Sequence, residues 1–162
     1  KNKECLVNAY DNTIRYTDKF LYGLIQLLKN NAGYSAMLYT SDHGEDIFDN
    51  GSNAFLHSSP VPSYYQLHVP LLVWLSQEYC EIPQALNSNR MKFVSTSVSV
   101  FYSMLDIGGV STNLNGSRHS FADNRYIPGE IYFLNDHNSP KRLDEIRLSA
   151  PDRKMFNERV GK

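Results

Sequence analysis

The order of patterns along the chain predicts an α/β fold, a layered α/β/α sandwich with a mainly parallel sheet. Three observations carry this: a long amphipathic helix, two short and continuously apolar runs separated by a long turn-rich loop, and a second helix. From about Ala9 to Asn30, Ile14, Leu21, Leu24, Ile25 and Leu28 share one helical face, with Arg15, Asp18, Lys19 and Gln26 mostly elsewhere. Asn30, Asn31 and Gly33 stop that helix. Tyr34–Thr40 then reads as a buried strand, because its apolar run is continuous rather than alternating. It ends at the polar cluster Ser41-Asp42-His43-Gly44-Glu45.

Asp46 to Leu67, about 22 residues with Asn50-Gly51 and two prolines, is too long for a simple connection and reads as a functional loop. Val69–Leu75 is the second central strand, with Trp74 in the core. Met91–Val94 is a short extended piece, and Thr96 or Ser97 caps a helix through Ile107 that closes at Gly108-Gly109. Beyond Val110 the chain turns polar, with one strand expected at Glu130–Leu134 and a charged tail from Lys141 to Lys162 as surface helix or disorder.

Composition narrows the class. An apolar fraction of 41% with 12% aromatics fits a globular chain of 162 residues with one core. A net charge of −1 offers no field for nucleic acid. No apolar run approaches the roughly 20 residues that span a bilayer, so any membrane anchor is expected outside this chain. Cys5 and Cys80 lack zinc-knuckle spacing and read as two buried thiols rather than a disulfide.

In open α/β sheets ligands bind at the carboxyl ends of strands, where the 41–45 cluster falls. Asp42 and His43 pair a hard carboxylate with an imidazole, a mixture suited to Zn²⁺ and less selectively to Mn²⁺. Strand neighbours point to opposite faces, so both reach one ion only where the backbone turns, and Gly44 permits that turn. Glu45 is placed to accept a hydrogen bond behind the ion or to contact a cationic group. His57, in the loop after Phe55-Leu56, can fold back onto the same ion or a bound phosphate. An isolated Asp-His pair is more often an incidental turn, and only the surrounding residues lift this one above it.

Those residues are Tyr39-Thr40-Ser41-Asp42-His43-Gly44-Glu45, Asp49-Asn50-Gly51, Phe55-Leu56-His57 and His68-Val69-Pro70-Leu71-Leu72-Val73-Trp74-Leu75-Ser76, preceded by Tyr10-Asp11-Asn12-Thr13-Ile14-Arg15-Tyr16-Thr17-Asp18. Together they closely resemble the bacterial phosphoethanolamine transferases that modify lipid A and related glycans, within the alkaline-phosphatase/sulfatase superfamily. The likeness is strongest over residues 8–76. The Asp-His-Gly element marks the superfamily, whereas the spaced Leu-His and His-Val-Pro elements point to the transferases.

The resemblance implies that residues 1–162 are the C-terminal part of a zinc-dependent catalytic domain. That domain would face the periplasm from the bacterial inner membrane. It would move phosphoethanolamine from phosphatidylethanolamine to lipid A or another envelope glycan through a threonine-linked intermediate. By this likeness Asp42 and His43 are metal ligands, while His57 and Glu45 are catalytic: His57 touches the phosphoryl group or a second ion, and Glu45 holds the ethanolamine ammonium or the hydrogen-bond network. The family's threonine nucleophile, a further acidic ligand and a further histidine precede Lys1, so the chain reads as half of an active site.

Ser58, where many relatives have glycine, is a departure that affects the loop backbone. The alternatives are a sulfatase or phosphodiesterase of the same superfamily, or a non-catalytic remnant of the fold. Among the remaining residues, His68 reads as structural, and His119 and His137 as loop histidines. Asn12-Thr13 reads as solvent-facing or capping, and Tyr64-Tyr65 as packing.

Overall fold

The structure is a computed structural model, described for residues 2–57, 61–114, 116–134 and 139–160. Ser58 and His137 lie outside the described residues. The chain divides into two compact units, residues 1–78 and 79–162.

The first unit opens with helix α1, Lys3–Lys29, which begins six residues before the amphipathic pattern does. The reason is local: the Asn2 side chain accepts the Glu4 amide and caps the helix, a signal that apolar periodicity does not carry. The stop is as expected, with the Asn30 amide donating to Leu27 O and Gly33 at φ 90°. None of α1 is fully buried, and Ile14, assigned to the apolar face, is more than half exposed.

Strand β1 is Ala36–Thr40, and the later strand of this unit runs Leu71–Leu75. Between them lie β2 (Asp46–Ile47), a tight helical turn at Asp49–Gly51, β3 (Phe55–Leu56) and a single helical turn, α2 (Tyr64–Leu67). With these assigned, Leu71–Leu75 is β4. The strands β1 and β4 pair antiparallel, Ala36 opposite Leu75 and Thr40 opposite Leu71.

This corrects the expectation of a mainly parallel sheet: every strand pair among the described residues is antiparallel. A parallel return needs a crossover long enough to carry the chain back along the sheet. The segment between β1 and β4 instead folds into a small hairpin and one helical turn at the end where β1 finishes, so β4 starts from that end and runs back. Both strands, Trp74 included, are mostly half-buried rather than fully enclosed.

The second unit holds α3 (Ile82–Asn89), α4 (Thr96–Ile107), β5 (Tyr132–Leu134), β6 (Pro140–Arg142) and α5 (Ala150–Val160). Its core is a polar lattice as much as an apolar one. Ser99, Ser103 and Ser120 are fully buried; Ser103 Oγ donates to Ser99 O and accepts the Phe121 amide. Asn89 donates to the Phe121 and Asp123 carbonyls. Helix α4 matches the expected range, α3 falls where the sequence pattern predicts no element, and Met91–Val94 forms no strand. Cys5 and Cys80 form no disulfide and, contrary to the expected burial, are both exposed.

Candidate metal centre

The first unit delivers its polar side chains at the end of β1. Ser41, the residue after the strand, donates through Oγ to the His43 carbonyl at 2.7 Å, and the His43 amide donates to Asp42 Oδ1 at 3.1 Å. These two bonds curl residues 41–43 out of the strand and put adjacent side chains on one side of the turn. Asp42 Oδ2 lies 3.9 Å from His43 Nε2. Asp42 is the most open group, its side chain 86% exposed, and backbone N–H donors at residues 42 and 43, then the His43 imidazole, hold its carboxyl below the usual carboxylate range.

His43 and His57 face each other with ring centroids 4.0 Å apart. The Glu45 carboxylate sits behind them, Oε1 2.9 Å from His57 Nδ1 and 3.8 Å from His43 Nδ1. His43 Nδ1 lies 3.1 Å from the Gly44 carbonyl. A carbonyl only accepts, so this Nδ1 carries the proton and Nε2 presents its lone pair. The Glu45 carboxylate imposes the same tautomer on His57. Each imidazole is thus oriented by its inner nitrogen and presents the outer one, the usual arrangement of metal-binding histidines.

His57 reaches this position through an unusual backbone. Leu56 has φ 66°, a left-handed conformation rare for a branched side chain, and Phe48 and Asn50 share it at 69° and 54°. The hairpin that holds these residues is tied down on its far side. Phe48 stacks on Phe55 at 5.1 Å, Lys3 Nζ lies 4.6 Å from the Phe48 ring, and the same ammonium donates to Asn53 at 2.8 Å.

The donor set fits a zinc-type ion. His43, Glu45 and His57 each offer a ligand atom within 4.8 Å of the others. Bonds of about 2.0–2.2 Å in a tetrahedral site place ligand atoms roughly 3.3–3.6 Å apart, so the 3.9 Å separation of Asp42 and His43 needs only a slight closing. Two imidazoles with carboxylates are the chemistry such an ion prefers.

The structure therefore gathers Asp42, His43, Glu45 and His57 in the first unit, and the other described histidines have contacts of their own. His68 stacks on Tyr64 at 4.9 Å while its amide donates to Tyr64 O, and His119 lies against Ile127 O. Thr13 is exposed and bonds the Tyr10 carbonyl within α1. Sequence reasoning missed Ser41, Asp46 and Gln66. Serine after a strand and glutamine in a loop carry no signal of their own; the buried Asp46 was detectable only as an acid inside the β2 pattern.

Comparison with known proteins identifies the family. Residues 2–110 match the sulfatase family model. The phosphoethanolamine transferase EptA of Salmonella typhimurium is 36% identical over 119 residues, covering 68% of this chain and 21% of the relative. The C-terminal periplasmic domain of the phosphoethanolamine transferase EptC from Campylobacter jejuni superposes with a TM-score of 0.67 at 27% identity, over 80% of this chain and 41% of that one. The corresponding EcEptC domain from Escherichia coli, solved in complex with Zn, shares the fold at a TM-score of 0.61 and 20% identity, over 94% of this chain and 41% of that one. The chain thus spans about a fifth of the length of the curated relative and two fifths of the solved domains. The matched segment contains β1, the turn that follows it and the loop that brings in His57, and on that match the chain belongs to the sulfatase family.

Proposed function

We propose that this chain supplies part of the metal centre of a phosphoethanolamine transferase. The enzyme would take phosphoethanolamine from phosphatidylethanolamine, hold it on a threonine supplied from outside these residues, and pass it to lipid A or another envelope glycan in the periplasm of a bacterium. The observation that carries this is the pairing of His43 and His57, each held at Nδ1, with His43 Nε2 beside the Asp42 carboxylate.

Asp42 and His43 would hold the ion. Zinc, when bound there, lowers the pKa of a nucleophile and neutralises charge on phosphoryl oxygens. His57, half exposed and fixed at Nδ1 by Glu45, would present Nε2 to a second ion or to the phosphoryl group, where a lone pair can accept a proton or, once protonated, donate to a phosphoryl oxygen. Glu45 keeps His57 in that tautomer, and its carboxylate adds negative charge that suits the ethanolamine ammonium. The exposed carboxylate of Asp42 adds to the same field.

The test uses the full-length protein expressed in a bacterium. Mass spectrometry of lipid A and envelope glycans should show added phosphoethanolamine, lost in His43→Ala. Hydrolysis of phosphate or sulfate esters with no transfer to any glycan would replace this reading with that of a phosphodiesterase or sulfatase.

A further inference from the structure

Asp46 is a carboxylate 3% exposed, and among the described residues it makes no ion pair. Burying a carboxylate without a cation is costly, and a fold that needed only packing here would place an apolar side chain. Its partner is the Gln66 side-chain amide, Nε2 donating to Oδ2 at 2.5 Å, and Gln66 is itself 6% exposed. The Gln66 carbonyl meanwhile accepts the Gly44 amide at 2.8 Å. One residue thus grips both neighbours of Glu45, Gly44 by its main chain and Asp46 by its side chain. Asp46 also pairs in register with Leu56, the residue before His57. Both halves of the Glu45–His57 hydrogen bond are therefore hung from a single buried contact.

We propose that Asp46 and Gln66 are positioning residues that set the Glu45 carboxylate against His57 and so fix the tautomer and direction in which His57 meets the ion and the phosphoryl group. The proposal rests on the reading of this cluster as a metal-assisted phosphoryl-transfer site only for its consequence, since the brace itself exists without metal. Ser63 caps α2 by accepting the Gln66 amide, which holds Gln66 in place from its other side.

The experiment compares Gln66→Met, which keeps the length of the side chain and removes its donor, with Asp46→Asn, which keeps an acceptor oxygen. Both are made in the full-length protein. In metal-free protein with ¹⁵N-labelled histidine, the parent and Asp46→Asn should show His57 as a single Nδ1–H tautomer, and Gln66→Met a mixture. Zinc affinity by chelator competition should fall about tenfold in Gln66→Met and less than threefold in Asp46→Asn, the range of losses expected when a group behind a ligand is removed. An unchanged His57 tautomer in Gln66→Met, or equal losses in the two variants, overturns the proposal. A tautomer that shifts while zinc affinity stays constant leaves the brace in place and removes the ion from His57.

Discussion

At the scale of single residues the account rests on which nitrogen each histidine presents. His57 is 55% exposed and packs little, so His57→Ala should leave the fold intact. Turnover of the full-length enzyme should fall by about a hundredfold or more, the usual contribution of a positioned acid or base. A steady-state assay beside a thermal melt checks both halves. Asp42 gives a second prediction. Its carboxyl is held low by backbone donors and His43, so its NMR titration midpoint in metal-free protein should fall below the usual value of about 3.9. Because the folded value is depressed, what Asp42 contributes to stability is present above the unfolded value and disappears as the pH falls through the folded one. Asp42, His43 and His57 stood out in the sequence as candidates because of the residues around them, and the fold brings them to the same turn. Ser41, Asp46 and Gln66 did not, since any polar residue can serve behind a ligand and only the folded chain shows which one does.

At the scale of elements, the turn after β1 and the hairpin β2–β3 share the work of assembly. Gly44 is fixed by space, since a Cβ there would sit 2.0 Å from the Tyr65 carbonyl oxygen. Gly44→Ala must push α2 away from the turn and should cost about 2–4 kcal/mol, measurable by urea unfolding. Leu56 is fixed by direction instead. Its left-handed backbone costs about 1 kcal/mol, so Leu56→Gly should change stability by less than that while loosening His57 and lowering activity. Leu56→Val, β-branched at positive φ, should instead destabilise by about 1–2 kcal/mol. The sequence showed α4 and the two apolar strands, because capping and apolar runs are local signals. It misjudged how those strands pair. Continuous apolar runs serve parallel and antiparallel strands alike, and only the path of residues 41–70 decides between them. It also passed over α3, whose eight residues carry too short a pattern to register.

At the scale of the whole molecule, much apolar surface is left open. Tyr16, Phe20 and Leu27 fall on one stripe of α1 at four- and seven-residue steps and are 74%, 57% and 67% exposed. Gly23 lies on the same stripe, with open space over it. The solved domains that share this fold are about twice as long, and a catalytic zinc takes about three protein ligands plus an open position. Residues 1–162 expressed alone should therefore self-associate, bind zinc weakly and show neither transfer nor phosphodiester hydrolysis, as light scattering and a phosphodiester assay with added zinc would register. Turnover comparable to that of the full-length protein would mean that the nucleophile lies within these residues. The central claim, that the turn after β1 is a metal centre, is tested most directly by locating the metal. Crystals of the full-length protein grown with zinc should give an anomalous difference peak at the zinc edge about 2.0–2.2 Å from an Asp42 carboxylate oxygen and from His43 Nε2. A fully occupied zinc elsewhere, with Asp42 and His43 bare, would contradict it.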